Sequence, residues 1–177
     1  VELDDGTRID AGFSEAEPAF QPMCINTPTA VNGWVYAQKV AGLRCTGQVR
    51  SSLGDFDLAA IEAFAHHDWS AGYMRPETHW NWACLSGQVA GQRVGLNLFA
   101  FDRQQPLQPW HIDSHDGQVA LRFEARGLHQ ERTNLGLLAS NFKQIFGQFN
   151  GVLRPPGRTE IRVDGLWGFV EDQYVKW

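Results

Sequence analysis

Residues 77–85 read ETHWNWACL, and large apolar side chains alternate there with polar or small ones. Trp80, Trp82 and then Cys84 or Leu85 stand at or near every second position, which is the period of a strand with one buried face. A glycine at 87 or 91 separates this run from a second one, Val94–Phe101. Two such runs around a glycine turn predict a β-hairpin.

The same pattern of short apolar runs bounded by Gly or Pro continues along the chain, at Trp34–Val40, Leu43–Arg50, Gln118–Ala125, Phe142–Leu153, Thr159–Val163 and Leu166–Trp177. Glycines inside several of these runs would let a sheet bend and its strands approach closely. The sequence therefore predicts an all-β, antiparallel sheet, either closed into a barrel or doubled into a sandwich. We favour a single barrel domain over residues 1–177.

Two segments depart from this strand pattern. The first residues, about 1–33, are rich in Gly and Pro and predict an irregular lead-in with one edge strand. Leu58, Ile61 and Phe64 fall on one helical face, and Asp57 stands at the cap position. We therefore expect one short helix at Asp57–Ala65.

Composition excludes several classes of protein. The 177 residues have a net charge of −5, with 15 Lys plus Arg against 20 acids, so we expect a folded protein with no nucleic-acid partner. No apolar run approaches the roughly 20 residues that cross a bilayer, and no signal segment opens the chain. We expect a cytoplasmic protein without a transmembrane segment.

Neither a metal nor a cofactor is expected from the sequence. The three cysteines, Cys24, Cys45 and Cys84, are spaced too widely for a disulfide framework or a zinc ligand set. His66, His67 and Asp68 are adjacent, and adjacent side chains point to opposite faces of a strand.

The candidate site lies between residues 68 and 82, where acids, an arginine and three indoles are concentrated. Burial and the Arg75 charge would pull the pKa values of neighbouring acids in opposite directions, as in ligand pockets. The residues selected for catalysis are Asp68, Glu77 and His67. Those selected for ligand binding are Trp69, Tyr73, Arg75, Trp80, Trp82 and Asn97.

Structural alternatives exist for several of these residues. Trp80 and Trp82 are equally typical of the packed core of a barrel, because period-two aromatics are common in sheets. For Arg75 and Glu77 we favour a salt bridge at the barrel rim. Asn97, within an apolar run, is more typical of a structural hydrogen-bonding residue than of a ligand contact.

Several separated blocks of sequence resemble a known family. In chain order they are Gly33-Trp34 with Lys39 and Gly42, His67–Gly72, Thr78–Ala83, Val94–Leu98, Pro109-Trp110, Phe146–Gly151 and Gly168–Asp172. Over most of residues 24–177 they resemble the domain of unknown function 2804. That family is similar in turn to two-barrel, lipocalin-like proteins that include carotenoid hydratases. The resemblance implies a calycin-type barrel with an apolar cavity.

The chain departs from the family pattern in two respects. Family members are considerably longer, so the chain is expected either to stand alone or to be the C-terminal half of a two-barrel protein, completed by the other half or by a second copy. The family places an Asn-Glu pair after the block Val94–Leu98, whereas here Leu98 continues directly into Phe99. We expect a segment to be absent between these two residues.

Three functions remain open from the sequence. The favoured one is binding of a hydrophobic, lipid-like or terpenoid small molecule in an aromatic-lined cavity. The second, implied by the resemblance, is a hydratase or isomerase in which Asp68 protonates a C=C bond and indole faces stabilise the carbocation. In that reaction Tyr73, His67 or Glu77 would position the water. The third is a non-catalytic interaction scaffold with a solid core.

Overall fold

The computed structural model describes residues 1–16, 21–29, 31–99 and 104–177, and within them it contains strands and no helix. The strands are β1 (Arg8–Phe13), β2 (Met23–Pro28), β3 (Trp34–Ser51), β4 (Gly54–Asp57), β5 (Phe64–Gly72), β6 (Glu77–Val89), β7 (Gln92–Phe99), β8 (Trp110–Asp113), β9 (Val119–Asn134), β10 (Ala139–Leu153) and β11 (Ile161–Lys176). The predicted all-β class is confirmed.

The strands form two antiparallel sheets. One is five-stranded and centred on β3, which pairs with β1, β2, β4 and β5. The other is six-stranded, in the order β7-β6-β11-β10-β9-β8. Antiparallel pairing throughout agrees with the hairpin pattern of the sequence. Among the described strands, the backbone hydrogen bonds form two separate sheets and do not join them into one closed barrel.

β3 is the long strand that organises the smaller sheet. Its first half pairs with β2 and its second half with β1, so the predicted strands Trp34–Val40 and Leu43–Arg50 are one continuous element. The pairing with β5 shifts register between Val40 and Leu43, where Gly42 has a φ of 81°. Glycine adopts this backbone conformation without steric strain, so the strand bends there without ending.

The β6–β7 hairpin follows the prediction made from residues 77–85. Its turn is Ala90-Gly91, with φ angles of 48° and 77°, and Val89 pairs directly with Gln92. Positive φ at both central residues is the geometry of a two-residue turn that matches strand twist. Residues 100 and 101 of the predicted run lie outside the described residues.

The helix predicted at Asp57–Ala65 is wrong. Residues 58–62 form turns, and Phe64 and Ala65 already belong to β5. The Asp57 carboxylate accepts hydrogen bonds from the amides of Ala59 and Ala60, as in a helix cap. The chain then leaves the helical conformation at Glu62, whose φ is 53°. The segment is a single capped turn that connects β4 to β5.

The N-terminal lead-in contains two strands, β1 and β2, where the sequence predicted one. Both pair with β3 by backbone hydrogen bonds, which apolar periodicity does not reveal. Near the other end, the predicted strands Thr159–Val163 and Leu166–Trp177 are joined in β11.

The largest buried cluster belongs to the six-stranded sheet alone. Its members are Ala83, Leu85, Val94, Trp110, Ile112, Leu121, Phe123, Ile145, Phe149, Leu153, Val163 and Val170. A smaller cluster, Ala41, Trp82 and Cys84, lies where β3 packs on β6 and β7. At this contact a Cβ on Gly95 would lie 2.3 Å from the carbonyl oxygen of Ala41, so only glycine permits so close an approach.

Candidate functional site

A cleft of about 370 Å³ lies between the two sheets. Strands β2, β3 and β5 form one wall, and the beginning of β6 with Phe99 of β7 forms the other. Its apolar lining residues are Ile25, Pro28, Val35, Ala37, Met74, Trp80 and Phe99. Its polar lining residues are Thr27, Thr29, Lys39, Asp68, Ser70, Arg75, Glu77, Thr78 and His79.

Strand alternation explains which side chains of the smaller sheet face this cleft. Ala37 pairs with Ile25 on one side and with Ser70 on the other, and Lys39 pairs with Asp68. Because side chains alternate between the faces of a sheet, these residues share the cleft face. Their neighbours in sequence face away from it.

Lys39 is the buried charged residue among those that line the cleft. Its side chain is only 6% exposed, and its ammonium forms an ion pair with the Asp68 carboxylate, which is 41% exposed. The ammonium Nζ also lies 3.7 Å from the centroid of the Trp82 ring and 5.2 Å from that of Phe99. A desolvated ammonium is stabilised by a carboxylate and by the negative face of an indole, and both are present here.

Trp82 and Asn97 contact Lys39 and are hydrogen-bonded to each other. The Trp82 indole N–H donates to Oδ1 of Asn97 at 3.0 Å, and the Asn97 amide donates to the Lys39 carbonyl at 3.4 Å. Trp82 also stacks on Phe99 and meets Phe169 edge to face, at 4.8 Å between centroids. These contacts fix the orientation of the ring that faces the ammonium.

A buried carboxyl group lies behind the Trp80 wall. The Trp80 indole N–H donates to Oε1 of Glu171 at 2.9 Å, and Gln144 donates to Oε2 at 3.4 Å. Burial raises the pKa of Glu171 from its ordinary value, against the opposing effect of the Trp80 hydrogen bond. Glu171 therefore holds the indole that lines the cleft.

A second pair, the half-buried His66 and the buried Cys84, lies at the contact between β5 and β6. The Cys84 Sγ and the His66 Nδ1 are 2.6 Å apart, and Ser86 Oγ lies 3.3 Å from His66 Nε2. Burial lowers the pKa of His66 to about 4 and raises the pKa of the Cys84 thiol. Both groups are neutral near pH 7, so Cys84 is not an activated nucleophile.

The structure brings four of the predicted site residues together in the cleft: Asp68, Arg75, Glu77 and Trp80. Glu77 forms its ion pair with Lys176 at 3.3 Å, and Arg75 donates to the Pro28 carbonyl at 3.5 Å. The favoured rim salt bridge between Arg75 and Glu77 is thus replaced by separate partners. Trp82 and Asn97 contact Lys39, as described above.

The remaining three predicted residues, His67, Trp69 and Tyr73, do not line the cleft. His67 pairs with Glu15 on the opposite face of β5. Trp69 is 51% exposed and packs against Tyr36, and Tyr73 is 70% exposed and packs against Trp34. His67 and Trp69 fall outside because odd and even positions of β5 face opposite ways, which the sequence shows only once the strand is known, and Tyr73 follows the end of that strand.

Lys39 is the buried charged residue of this site to which the sequence pattern gives no role. Lys39 belongs to one of the sequence blocks that resemble the family, but a lysine in an apolar run is equally typical of an edge strand. The signal that identifies it is the pairing of β3 with β5, which places Lys39 opposite Asp68, 29 positions later. Such long-range register cannot be read from periodicity.

A larger depression, of about 910 Å³, opens on the far side of the six-stranded sheet and is lined by residues of β7, β9 and the loop after β10. None of the predicted site residues lines it. Across the described ranges, no group of three His, Cys, Asp or Glu side chains is placed to hold a metal ion. Nor does any helix there have the length and apolar character to span a membrane.

The fold and the cleft define an all-β protein of two antiparallel sheets with a partly charged, aromatic-walled cleft between them. The model of the family described as domain of unknown function DUF2804 matches residues 3–100 and 98–177, and the chain belongs to this family. The two matched segments meet at residues 98–100, next to the Leu98–Phe99 junction. No curated protein and no solved structure matches the chain.

Proposed function

We propose that the chain binds a small molecule with an apolar body in the cleft between its sheets. The observation that carries the proposal is the combination of an apolar, aromatic wall with one buried and stabilised charge, Lys39. Small-molecule sites are commonly built in this way, with mostly apolar walls and a few placed polar groups.

The size of the cleft restricts the ligand. Its volume of about 370 Å³ lies near the lower end of the range of roughly 300–1,000 Å³ that is usual for ligand pockets. A short acyl chain or a small terpenoid suits this volume better than an extended carotenoid. Thr29, Met74 and Arg75 lie in and beside the loop between β5 and β6, so the ligand would enter there and point toward Lys39.

The hydratase alternative has less support. It needs a carboxylic acid that carries a proton and faces the substrate. Asp68 faces the cleft, but its carboxylate already forms an ion pair with the Lys39 ammonium. Glu171 has a raised pKa but does not line the cleft. The scaffold alternative, which requires no cavity, leaves the cleft unexplained.

Ligand binding is tested with a fluorescent apolar probe, 1-aminoanthracene, and its displacement by 1-decanol. The decisive variant is Ala37→Phe, which places a ring on the floor of the cleft. The matched control is Ala71→Phe, the same substitution on the opposite face of the same sheet, beside Tyr36. We expect Ala37→Phe to weaken 1-decanol binding by at least about tenfold and Ala71→Phe to leave it unchanged.

Equal affinities in the two variants would place the ligand elsewhere. No binding by the parent protein, with both variants folded by circular dichroism, would favour the scaffold.

A further inference from the structure

The position of Lys39 suits a nucleophile as well as a buried charge. Lys39 lines the cleft, it is one of only three lysines in the chain, and it is the one that is fully buried. Lys143 and Lys176 are both partly exposed. A lysine that lines an apolar pocket can react covalently with a carbonyl group once its ammonium has given up a proton.

We propose that Lys39 forms an imine with the carbonyl group of an apolar aldehyde bound in the cleft. The inference rests on the proposed function and names its ligand class. Lys39 lines the cleft, and its ammonium has Trp82 and Phe99 beside it and Asp68 as its partner. An aldehyde whose apolar chain follows the wall from Met74 to Trp80 would present its carbonyl carbon to Nζ.

The charges around Lys39 favour a neutral carbonyl over an anionic head group. A carboxylate on the ligand would have to displace Asp68, which already pairs with the ammonium. A protonated imine keeps the positive charge, so Asp68 and the Trp82 ring retain the same partner before and after the reaction. The existing contacts therefore stabilise the product as well as the free lysine.

Asp68 is placed to move the proton that this reaction requires. Its carboxylate takes a proton from Nζ, and the free amine attacks the carbonyl carbon to form a C–N bond. The carbonyl oxygen becomes a hydroxyl group by taking a proton from the same nitrogen. The acid form of Asp68 then protonates this hydroxyl, which leaves as water, and the protonated imine remains beside the Asp68 carboxylate. One ammonium and one aldehyde thus yield one iminium ion and one water.

The test is reductive trapping followed by peptide mapping. The protein is treated with limiting decanal and sodium cyanoborohydride, which reduces an imine to a stable amine. We expect decyl modification of Lys39 to exceed that of Lys143 and Lys176 by at least about tenfold. Excess 1-decanol, which has no carbonyl group, should suppress modification at Lys39 in the parent protein, so this readout needs no variant.

Three variants sharpen the result. Lys39→Arg should abolish the excess, whereas Lys143→Arg should leave modification of Lys39 unchanged. Asp68→Asn should slow imine formation, since the proton acceptor is lost. Equal modification of all lysines, or an excess that 1-decanol does not suppress, would overturn the inference.

The two proposals fail separately. Binding of 1-decanol without selective trapping at Lys39 overturns the imine and leaves the binding function in place. Failure of 1-decanol to bind at all overturns both.

Discussion

The ion pair between Lys39 and Asp68 is asymmetric, because the ammonium is buried while the carboxylate is partly exposed. Removing the carboxylate leaves the buried ammonium without its counter-ion, whereas removing the ammonium leaves a carboxylate that water can solvate. We expect Asp68→Asn to lower the free energy of unfolding by about 1–3 kcal/mol, measured by urea denaturation. Adding Lys39→Met should restore most of this loss, since Met packs against Trp82 and Phe99 without charge.

Strictly additive effects of the two substitutions would show that the pair is not coupled. The matched control is the exposed pair of Glu2 and Arg8, whose N–O distance is 3.2 Å. There Glu2→Gln should change the stability by less than about 0.5 kcal/mol, as is usual for surface ion pairs.

His66 makes the stability depend on pH in a defined direction. Its pKa is about 4 in the folded chain, against an ordinary value of 6.5, because it is buried. Between these two pKa values the His66 imidazole binds a proton in the unfolded chain but not in the folded chain. The free energy of unfolding is therefore highest, as far as His66 determines it, above pH 6.5, and it falls as the pH is lowered. The expected slope is about 1.4 kcal/mol per pH unit.

The measurement is the free energy of unfolding of the parent chain and of His66→Asn, at about pH 7 and about pH 4.5. The difference between the two proteins should shift by roughly 2 kcal/mol against the parent at the lower pH. Taking this difference removes the effect of Glu171, whose raised pKa acts in the opposite sense. The control is His67→Asn at the neighbouring position. A parent-to-variant difference that is independent of pH would contradict the burial of His66.

At the scale of single elements, the β6–β7 turn contains a residue in an unfavourable conformation. Ala90 has a φ of 48°, which crowds the Cβ of a non-glycine residue. Asn tolerates this region better, and Asn-Gly is a favoured pair in such turns. We therefore expect Ala90→Asn to raise the stability by about 1 kcal/mol, detected as a higher thermal midpoint. A lower midpoint would mean that the turn differs from the one described here.

The elements show what periodicity can and cannot predict. The β6–β7 hairpin follows from the alternating Trp80 and Trp82 and the glycine turn, although both faces of β6 are buried at residues 82–87, where Trp82 and Cys84 face the smaller sheet and Ala83 and Leu85 face the larger cluster. β5 is not apparent from the sequence, because His66, Asp68 and Ser70 on its inner face are polar. The contact between Lys39 and Asp68 depends on pairing two distant strands, and local pattern contains no information about that register. Asp68, Arg75, Glu77 and Trp80 are thus recognisable from the sequence as site residues, whereas their assembly with Lys39 is not.

At the scale of the whole molecule, the two sheets have unequal cores. The largest buried cluster belongs to β6–β11, whereas the smaller sheet depends on its contact around Ala41, Trp82 and Cys84. Segments with few buried apolar contacts open more readily than the core. We expect hydrogen exchange measured by mass spectrometry to be slowest in β9, β10 and β11 and clearly faster in β1, β2 and β4.

A ligand in the cleft should reduce this difference, because it contacts both sheets and is released when β2, β3 and β5 separate from β6. At a concentration about 100 times its Kd, a ligand stabilises the state that binds it by about 2.7 kcal/mol. Exchange in β2, β3 and β5 should therefore slow by up to about a hundredfold with 1-decanol, while β9 and β10, which do not line the cleft, change little. Ala37→Phe should lack this effect and Ala71→Phe should retain it. Equal slowing in all strands would mean instead that the two sheets open as a single cooperative unit, with the cleft stabilising the whole chain at once.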